Sequence, residues 1–387
     1  MRRITLLFAA MALASLASVG ALLTLPTAPA RGALILPTGF TQSQVVSGLT
    51  RPMDMEFAPD GRLFVAEQAG KLRVLRSNGN LATFLDISTK VDSRVERGLM
   101  GVAFDPNYST NRFIYLYYTR KATSTTPVHN RIVRVTAKSG GSGVVAGSEQ
   151  LLLRLNNQTD DHLGHMGGAL DFGNDGKLYA STGDNDVPDK AQQLTNLFGK
   201  MVRINKDGTI PSDNPFYSTA TGNNRALWAL GLRNPFKLAV SRTTGAMFIN
   251  DVGGNIEETA REEINRGASR ANYGWPVHEG VVNDPPYVDP IFAYGHGSTD
   301  TTGCAITGGA FYEPGTVRFP GSYLGDYFFA DLCNGWIRSY DTANNTASVF
   351  ATGLSSVVDL EVSKEGELYF LSRGTTGSVG KITYSGN

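Results

Sequence analysis

Two histidines beside a pair of aspartates form the most reactive grouping in the chain. The segment DDHLGHMGGAL (160–170) carries Asp160, Asp161, His162 and His165 just ahead of a run of strand-forming residues. HxxH spacing aligns two imidazoles on a metal when the segment is helical, but Gly164, Gly167 and Gly168 oppose a helix. The other reading puts one histidine at a strand start, with Gly167 and Gly168 letting something flat approach the backbone. Histidine suits general-base chemistry near neutral pH. A hydrogen-bonded structural histidine is the plain alternative. Further on, ALWALGLRNPFKLAV (226–240) sets Arg233 and Asn234 between two apolar runs. That arginine is either buried against carboxylates or directed into a central channel, where an anion or a carbonyl oxygen would be its natural partner. Pro235 implies a bend there. DVGGN (251–255) reads as a turn exposing successive carbonyls and amides, and all-oxygen surroundings suit a hard cation such as calcium.

Other chemistries lack their motifs. No GxxxxGK[ST] or GxSxG occurs, and GGSGVVAG (140–147) has the wrong spacing for a dinucleotide loop and reads as a surface hairpin. The cysteines are two, Cys304 and Cys333, and neither has a CxxC partner.

These groups need a frame, and the sequence repeats one. A tight turn followed by alternating aromatic and aliphatic residues recurs at 57–75, 103–120, 171–184, 241–254, 321–341 and 362–384. Such turns and alternation are strand chemistry. Six copies from end to end predict an all-β fold, a six-bladed β-propeller with long inter-blade loops. A β-sandwich is the other all-β option. IEETAREEINR (256–266) is the one acidic stretch with helical character, and a turn is expected near 190–197.

Composition bounds the partners. In 387 residues Lys+Arg and Asp+Glu are both 35, so no bulk field attracts nucleic acid, and none is expected as a partner. Arg2 and Arg3, an apolar run from about residue 4 to 25 and Ala28-Pro29-Ala30 read as a cleaved signal peptide over residues 1–30. Residues 31–387 are then a single exported propeller domain, secreted or periplasmic, without stable membrane insertion after cleavage. In an oxidising compartment the distant cysteine pair is most simply one disulfide.

In combination the motifs resemble a known family. HMGGALDFGNDGKLY, LFGKMVRI, ALGLRNP, DVGGN, EEIN, ANYGWP and TGGAFY, with RGLMGVAFDP (97–106) upstream, look like the soluble pyrroloquinoline-quinone (PQQ) dependent glucose/sorbosone dehydrogenases. The likeness spans about residues 38 to 385 and implies a six-bladed propeller with PQQ and Ca²⁺ in its central mouth. Carried across, it makes His165 the catalytic base, with Arg233 and Asn234 holding the quinone and Arg233 near its reactive carbonyl. Glu96 stands where a glutamine usually touches the quinone. Gly253 and Gly254 correspond to the turn whose carbonyls bind calcium, and Glu263 and Tyr273 to a second calcium site. The implied reaction is oxidation of the anomeric hydroxyl of an aldose to the lactone, with electrons leaving to an external acceptor. Two positions depart from the pattern. Cys333 and Asn334 occupy the stretch where the sugar oxidisers carry a quinone-pairing lysine, a form seen in a disulfide-bearing branch, which supports pairing Cys304 with Cys333. Gly164 stands where those enzymes have Asp or Asn. Related propellers that bind extracellular partners without chemistry make a non-catalytic binding module the rival reading, for a carbohydrate or protein ligand.

Overall fold

The computed structural model describes residues 33–386, so the segment read as a signal peptide lies outside the described residues. The described residues form six four-stranded antiparallel sheets. Blade 1 comprises Pro52–Phe57, Leu63–Glu67, Lys71–Leu75 and Leu81–Asp86. Blade 2 comprises Leu99–Phe104, Phe113–Arg120, His129–Thr136 and Gln150–Asn157. Blade 3 holds Gly167–Phe172, Leu178–Thr182, Lys200–Ile204 and Leu227–Leu230. Blade 4 holds Pro235–Val240, Met247–Asp251, Arg261–Arg266 and Phe292–Gly295. Blade 5 follows with Ile306–Phe311, Tyr327–Asp331, Ile337–Asp341 and Thr346–Ala351. Blade 6 joins the two ends of the described chain. Its first three strands, Val357–Val362, Leu368–Ser372 and Gly377–Tyr384, are completed by Phe40–Leu49, which pairs antiparallel with Gly377–Tyr384. Closing the ring this way leaves each sheet only short edges.

The six sequence repeats fall one in each blade. Where the repeat begins with a Gly-containing turn, that turn joins neighbouring strands, and the aromatic alternation fills the spaces between sheets. Trp336, fully buried, packs against Tyr294 and Phe329 between blades 4 and 5. Burying a side chain of this size contributes about 2–3 kcal/mol. The first strand of each blade lies innermost and touches its counterpart in the next blade around the ring.

The centre is polar rather than oily. Lys237, on the inner strand of blade 4, reaches Asp359 of blade 6 at 2.7 Å and also bonds Asp54 of blade 1. Asp54 in turn accepts the amide of Val102 in blade 2 (2.7 Å), and Asp359 accepts that of Met55 (2.8 Å). One buried cation therefore links four blades.

Local structure departs from expectation at 256–266. Residues 261–266 form a strand of blade 4, not a helix. The carboxylates that gave the segment its helical look are consumed by the sheet's surroundings: Glu262 accepts the amide of Ile306 at 2.7 Å and pairs with His296 Nε2 at 2.8 Å. The turn expected near 190–197 is a short 3-10 segment, Pro188–Gln192. Cys304 and Cys333 form the disulfide, and no free cysteine remains among the described residues.

Candidate active site

The loops that lead into the inner strands of blades 2, 3 and 4 carry Glu96, His165 and the Arg233–Asn234 pair. The 159–165 loop is fixed first. Fully buried Arg97 donates to the carbonyls of Thr159 (2.5 Å) and His162 (3.1 Å), while its other nitrogen holds Asp92 at 3.0 Å. His165 then enters the blade with a left-handed φ of 52°. Gly167 follows at φ 60°, and a Cβ there would lie 2.7 Å from the amide nitrogen of Gly183, so only glycine fits.

The imidazole is oriented by carboxylates. His165 Nδ1 lies 2.7 Å from Oδ1 of Asp184, whose side chain is fully buried, and 3.4 Å from Asp186 Oδ1. Nδ1–H donating to Asp184 leaves Nε2 as the lone-pair nitrogen. Asp184 is fixed from its other oxygen by the indole N–H of Trp275 (2.8 Å), and its amide donates to the carbonyl of Arg233 (2.7 Å). Lys200 secures the loop that bears it, donating to the carbonyls of Lys190 (2.8 Å), Ala191 (2.8 Å) and Phe198 (2.5 Å). Burial pushes this lysine down to about 7.

Arg233 and Asn234 meet the histidine here. Buried Asp251 accepts both their amides, at 2.9 and 2.7 Å. Asn234 Oδ1 accepts the amide of Gly167 at 3.0 Å. Glu96 Oε2 accepts the amide of His165 at 2.8 Å and Asn234 Nδ2 at 3.3 Å, so one carboxylate ties three candidate residues together. The Arg233 guanidinium donates to Val252 O (3.2 Å) and Asn255 Oδ1 (2.7 Å) and lies 5.5 Å from the centre of the Trp275 ring.

Beside Arg233 a void of about 10 Å³ is lined by Asp251, Gly253, Glu263, Tyr273 and Glu279. Burial raises the carboxyl groups of Asp251, Glu263 (to about 7) and Glu279, with Glu263 adding to the effect on Asp251. Three acids held against their preferred ionisation around one void form a donor set that a hard cation would relieve. The amides of Gly253 and Gly254 donate to Glu262 and Glu279, and among the described residues their carbonyls accept no hydrogen bond. The Tyr273 hydroxyl is directed elsewhere, bonding Arg266 O (2.9 Å) and the amide of Ala268 (3.1 Å).

Neither His162 nor His165 belongs, among the described residues, to a cluster of three or more converging metal-ligating side chains. Among the described residues the metal-ligating side chains that converge are Asp331 with Cys304 and Cys333, and those cysteines are bonded to each other. Asn334, beside Cys333, donates to the carbonyls of Gly297, Thr299 and Thr302 and braces its loop. Another cation lies nearby in blade 6. Arg373 donates to Gln68 Oε1 at 2.6 Å, and Gln68 holds the carbonyls of Val95 and Arg97 on either side of Glu96. Burial, reinforced by the charge of Arg51, lowers Arg373 to about 10. Half-buried Arg373 beside the exposed Arg51 favours an anion as neighbour, and the Glu96 carboxylate is one.

Asp184, Asp186, Asp251, Trp275 and Arg373 were not singled out from sequence. Several sit where a strand meets the mouth, as in STGD (181–184) and FIND (248–251), and an aspartate at such a place was the available signal.

Residues 49–381 match the profile of the Glucose / Sorbosone dehydrogenase family. The chain belongs to that family. It is 28% identical over 297 residues to quinoprotein glucose dehydrogenase B of Acinetobacter calcoaceticus, covering 70% of this chain and 60% of that protein. It is 31% identical over 236 residues to the human Hedgehog-interacting protein, covering 54% of this chain and 33% of that one. The chain thus spans under two thirds of the length of either relative. The PQQ-bound aldose sugar dehydrogenase of Streptomyces coelicolor superposes with a TM-score of 0.71 at 20% identity, over 92% of this chain and 99% of that structure, a likeness of fold. Among the described residues no helix is long and apolar enough to cross a membrane.

Proposed function

We propose that the protein is an exported quinoprotein oxidoreductase that converts the anomeric hydroxyl of an aldose to the lactone and passes the electrons to an external acceptor. The observation that carries this reading is the convergence at one mouth of an imidazole held by a buried carboxylate and the Arg233–Asn234 pair. The donor set fits the cofactors. Arg233, Asn234, Arg373 and Arg51 would hold an anionic quinone such as PQQ, and the carbonyls of Gly253 and Gly254 would hold Ca²⁺ against it. Glu263 and Tyr273 flank the neighbouring void, where Glu263 would serve a second calcium through its carboxylate; the tyrosine hydroxyl is already committed. When bound, the quinone supplies a two-electron acceptor for hydride, polarised by the cation.

The chain's own residues do the rest. His165 Nε2 takes the proton of the anomeric hydroxyl, and Asp184 stabilises the imidazolium that forms. Such a base contributes about 10²–10⁴-fold in rate. Glu96 fixes the backbone at His165 and Asn234, so base and cofactor pocket keep one spacing. Trp275 covers Arg233 and steadies Asp184, and limits water at the guanidinium. Export through the segment at residues 1–30 accords with the disulfide, which persists in oxidising compartments.

The test is reconstitution of the purified protein with Ca²⁺ and PQQ, followed by dye reduction with a panel of aldoses. Sugar-dependent reduction supports the reading. A protein that binds no quinone and reduces no dye would be a binding propeller instead.

A further inference from the structure

Two carboxylates stand at His165 Nδ1, and only one is needed to orient the ring. Asp184 satisfies Nδ1 at 2.7 Å from a fully buried position. Asp186 stands off at 3.4 Å, and its side chain is 34% exposed at the mouth. Its other oxygen accepts the amide of Gly164 at 2.7 Å. The chain accepts strain to place it there: Asn185 and Asp186 are consecutive non-glycine residues with φ of 56°. Left-handed residues in sequence are costly, and such strain gathers where a side chain must be aimed. Room for it is made by the opposite loop. A Cβ on residue 164 would lie 2.9 Å from Asp186 Oδ1 and 3.1 Å from Oδ2, so the carboxylate fills the space that a side chain at Gly164 would take.

We propose that Asp186 is a specificity-determining residue that accepts a hydrogen bond from a sugar hydroxyl next to the reacting carbon, in a place opened by the missing side chain at Gly164. The proposal rests on the sugar-oxidising reading above. Oδ2 is held by the Gly164 amide, which fixes the carboxylate plane. Oδ1 sits beside the imidazole with lone pairs left over, since Nδ1–H is committed to Asp184. A sugar whose anomeric hydroxyl reaches Nε2 brings its ring hydroxyls along the edge of the same imidazole. An ionised acceptor there rewards a hydroxyl and is left unpaired when the hydroxyl is absent.

The experiment compares wild-type, Asp186→Ala and Gly164→Ala proteins, each loaded with PQQ and Ca²⁺, on glucose and its singly deoxygenated analogues. For Asp186→Ala, kcat/KM should fall about 10–100-fold on glucose. For one deoxy analogue the wild type should already show that loss, and the variant should add almost nothing to it. Gly164→Ala should reproduce the defect with Asp186 intact, because the new methyl group displaces the carboxylate. Thermal melts confirm that each variant folds. An equal loss on every sugar would make Asp186 a support of His165 and overturn the proposal, as would no loss at all. Failure of the wild type to oxidise any aldose would instead overturn the reading beneath it.

Discussion

Replacing Lys237 by methionine should destabilise the propeller in a way that depends on pH. The side chain is buried between Asp54 and Asp359, both nearly inaccessible, and among the described residues no other cation is bonded to either. Methionine keeps the length and removes the charge, leaving two carboxylates facing each other across the channel. Removing one partner of a buried ion pair costs about 3–5 kcal/mol. For a unit of roughly 350 residues the unfolding entropy is about 0.7 kcal/mol per degree, so the melting temperature should fall by about 4–7 °C. The pH dependence gives the sharper test. Burial is the main force holding Asp359 at about 7; Lys237 lowers it and Asp54 raises it. Its folded pKa lies above the unfolded value, so the folded state binds more protons and loses stability as pH rises through 7. Without Lys237 the lowering influence is gone and that loss deepens. Thermal unfolding followed by circular dichroism should show a small deficit at pH 5 and the full deficit at pH 8. A deficit that is the same at both pH values, or absent at pH 8, would refute the ionic role given to this residue.

Other outcomes follow from the site. Asp184→Asn should lower kcat by about 10²-fold or more while leaving quinone binding intact, because the imidazole loses its anionic partner; stopped-flow turnover and a quinone titration check the two halves. His162→Ala should leave turnover nearly unchanged, whereas a metal held by both histidines would be lost with either. Reducing Cys304–Cys333, which closes 29 residues, should cost about 3–4 kcal/mol in the chain-entropy view, read by thermal melts with and without reductant. Quinone and calcium should tighten each other's binding, so chelation should weaken the quinone titration, and Arg233→Ala should nearly abolish it. Identical quinone affinity with and without calcium would dissolve the link between Gly253, Gly254 and the cofactor.

The architecture was legible because its signals are local. A glycine turn followed by alternating aromatics specifies a hairpin wherever it occurs, and six of them specify a ring. His165, Arg233 and Asn234 stand in local motifs at the starts of strands, whereas Glu96 came to notice only through the family resemblance. Their partners could not be read from such motifs. Asp184 is 19 positions from His165, and Arg373 is 305 from the Gln68 it bonds. The first pair meets through the hairpin of blade 3, whose register sets Gly167 against Thr182, and the second meets only when the ring closes. The helical reading of 256–266 failed for a related reason: alternating acids and apolar residues look amphipathic until a neighbouring blade supplies the amides that the acids accept. The Arg373–Gln68 contact between blades 6 and 1 was not legible, because no spacing in the sequence connects the two.

The central claim is that His165 removes the proton whose loss lets hydride pass from sugar to cofactor. The most direct measurement mixes an aldose with PQQ- and Ca²⁺-loaded protein anaerobically, without any acceptor, and follows the cofactor's absorbance through a single turnover. The wild type should consume one equivalent of sugar and bleach the cofactor once. His165→Ala, with the same melt and the same quinone affinity, should bleach more slowly by about 10²–10⁴-fold. Bleaching at the wild-type rate in that variant would contradict the account.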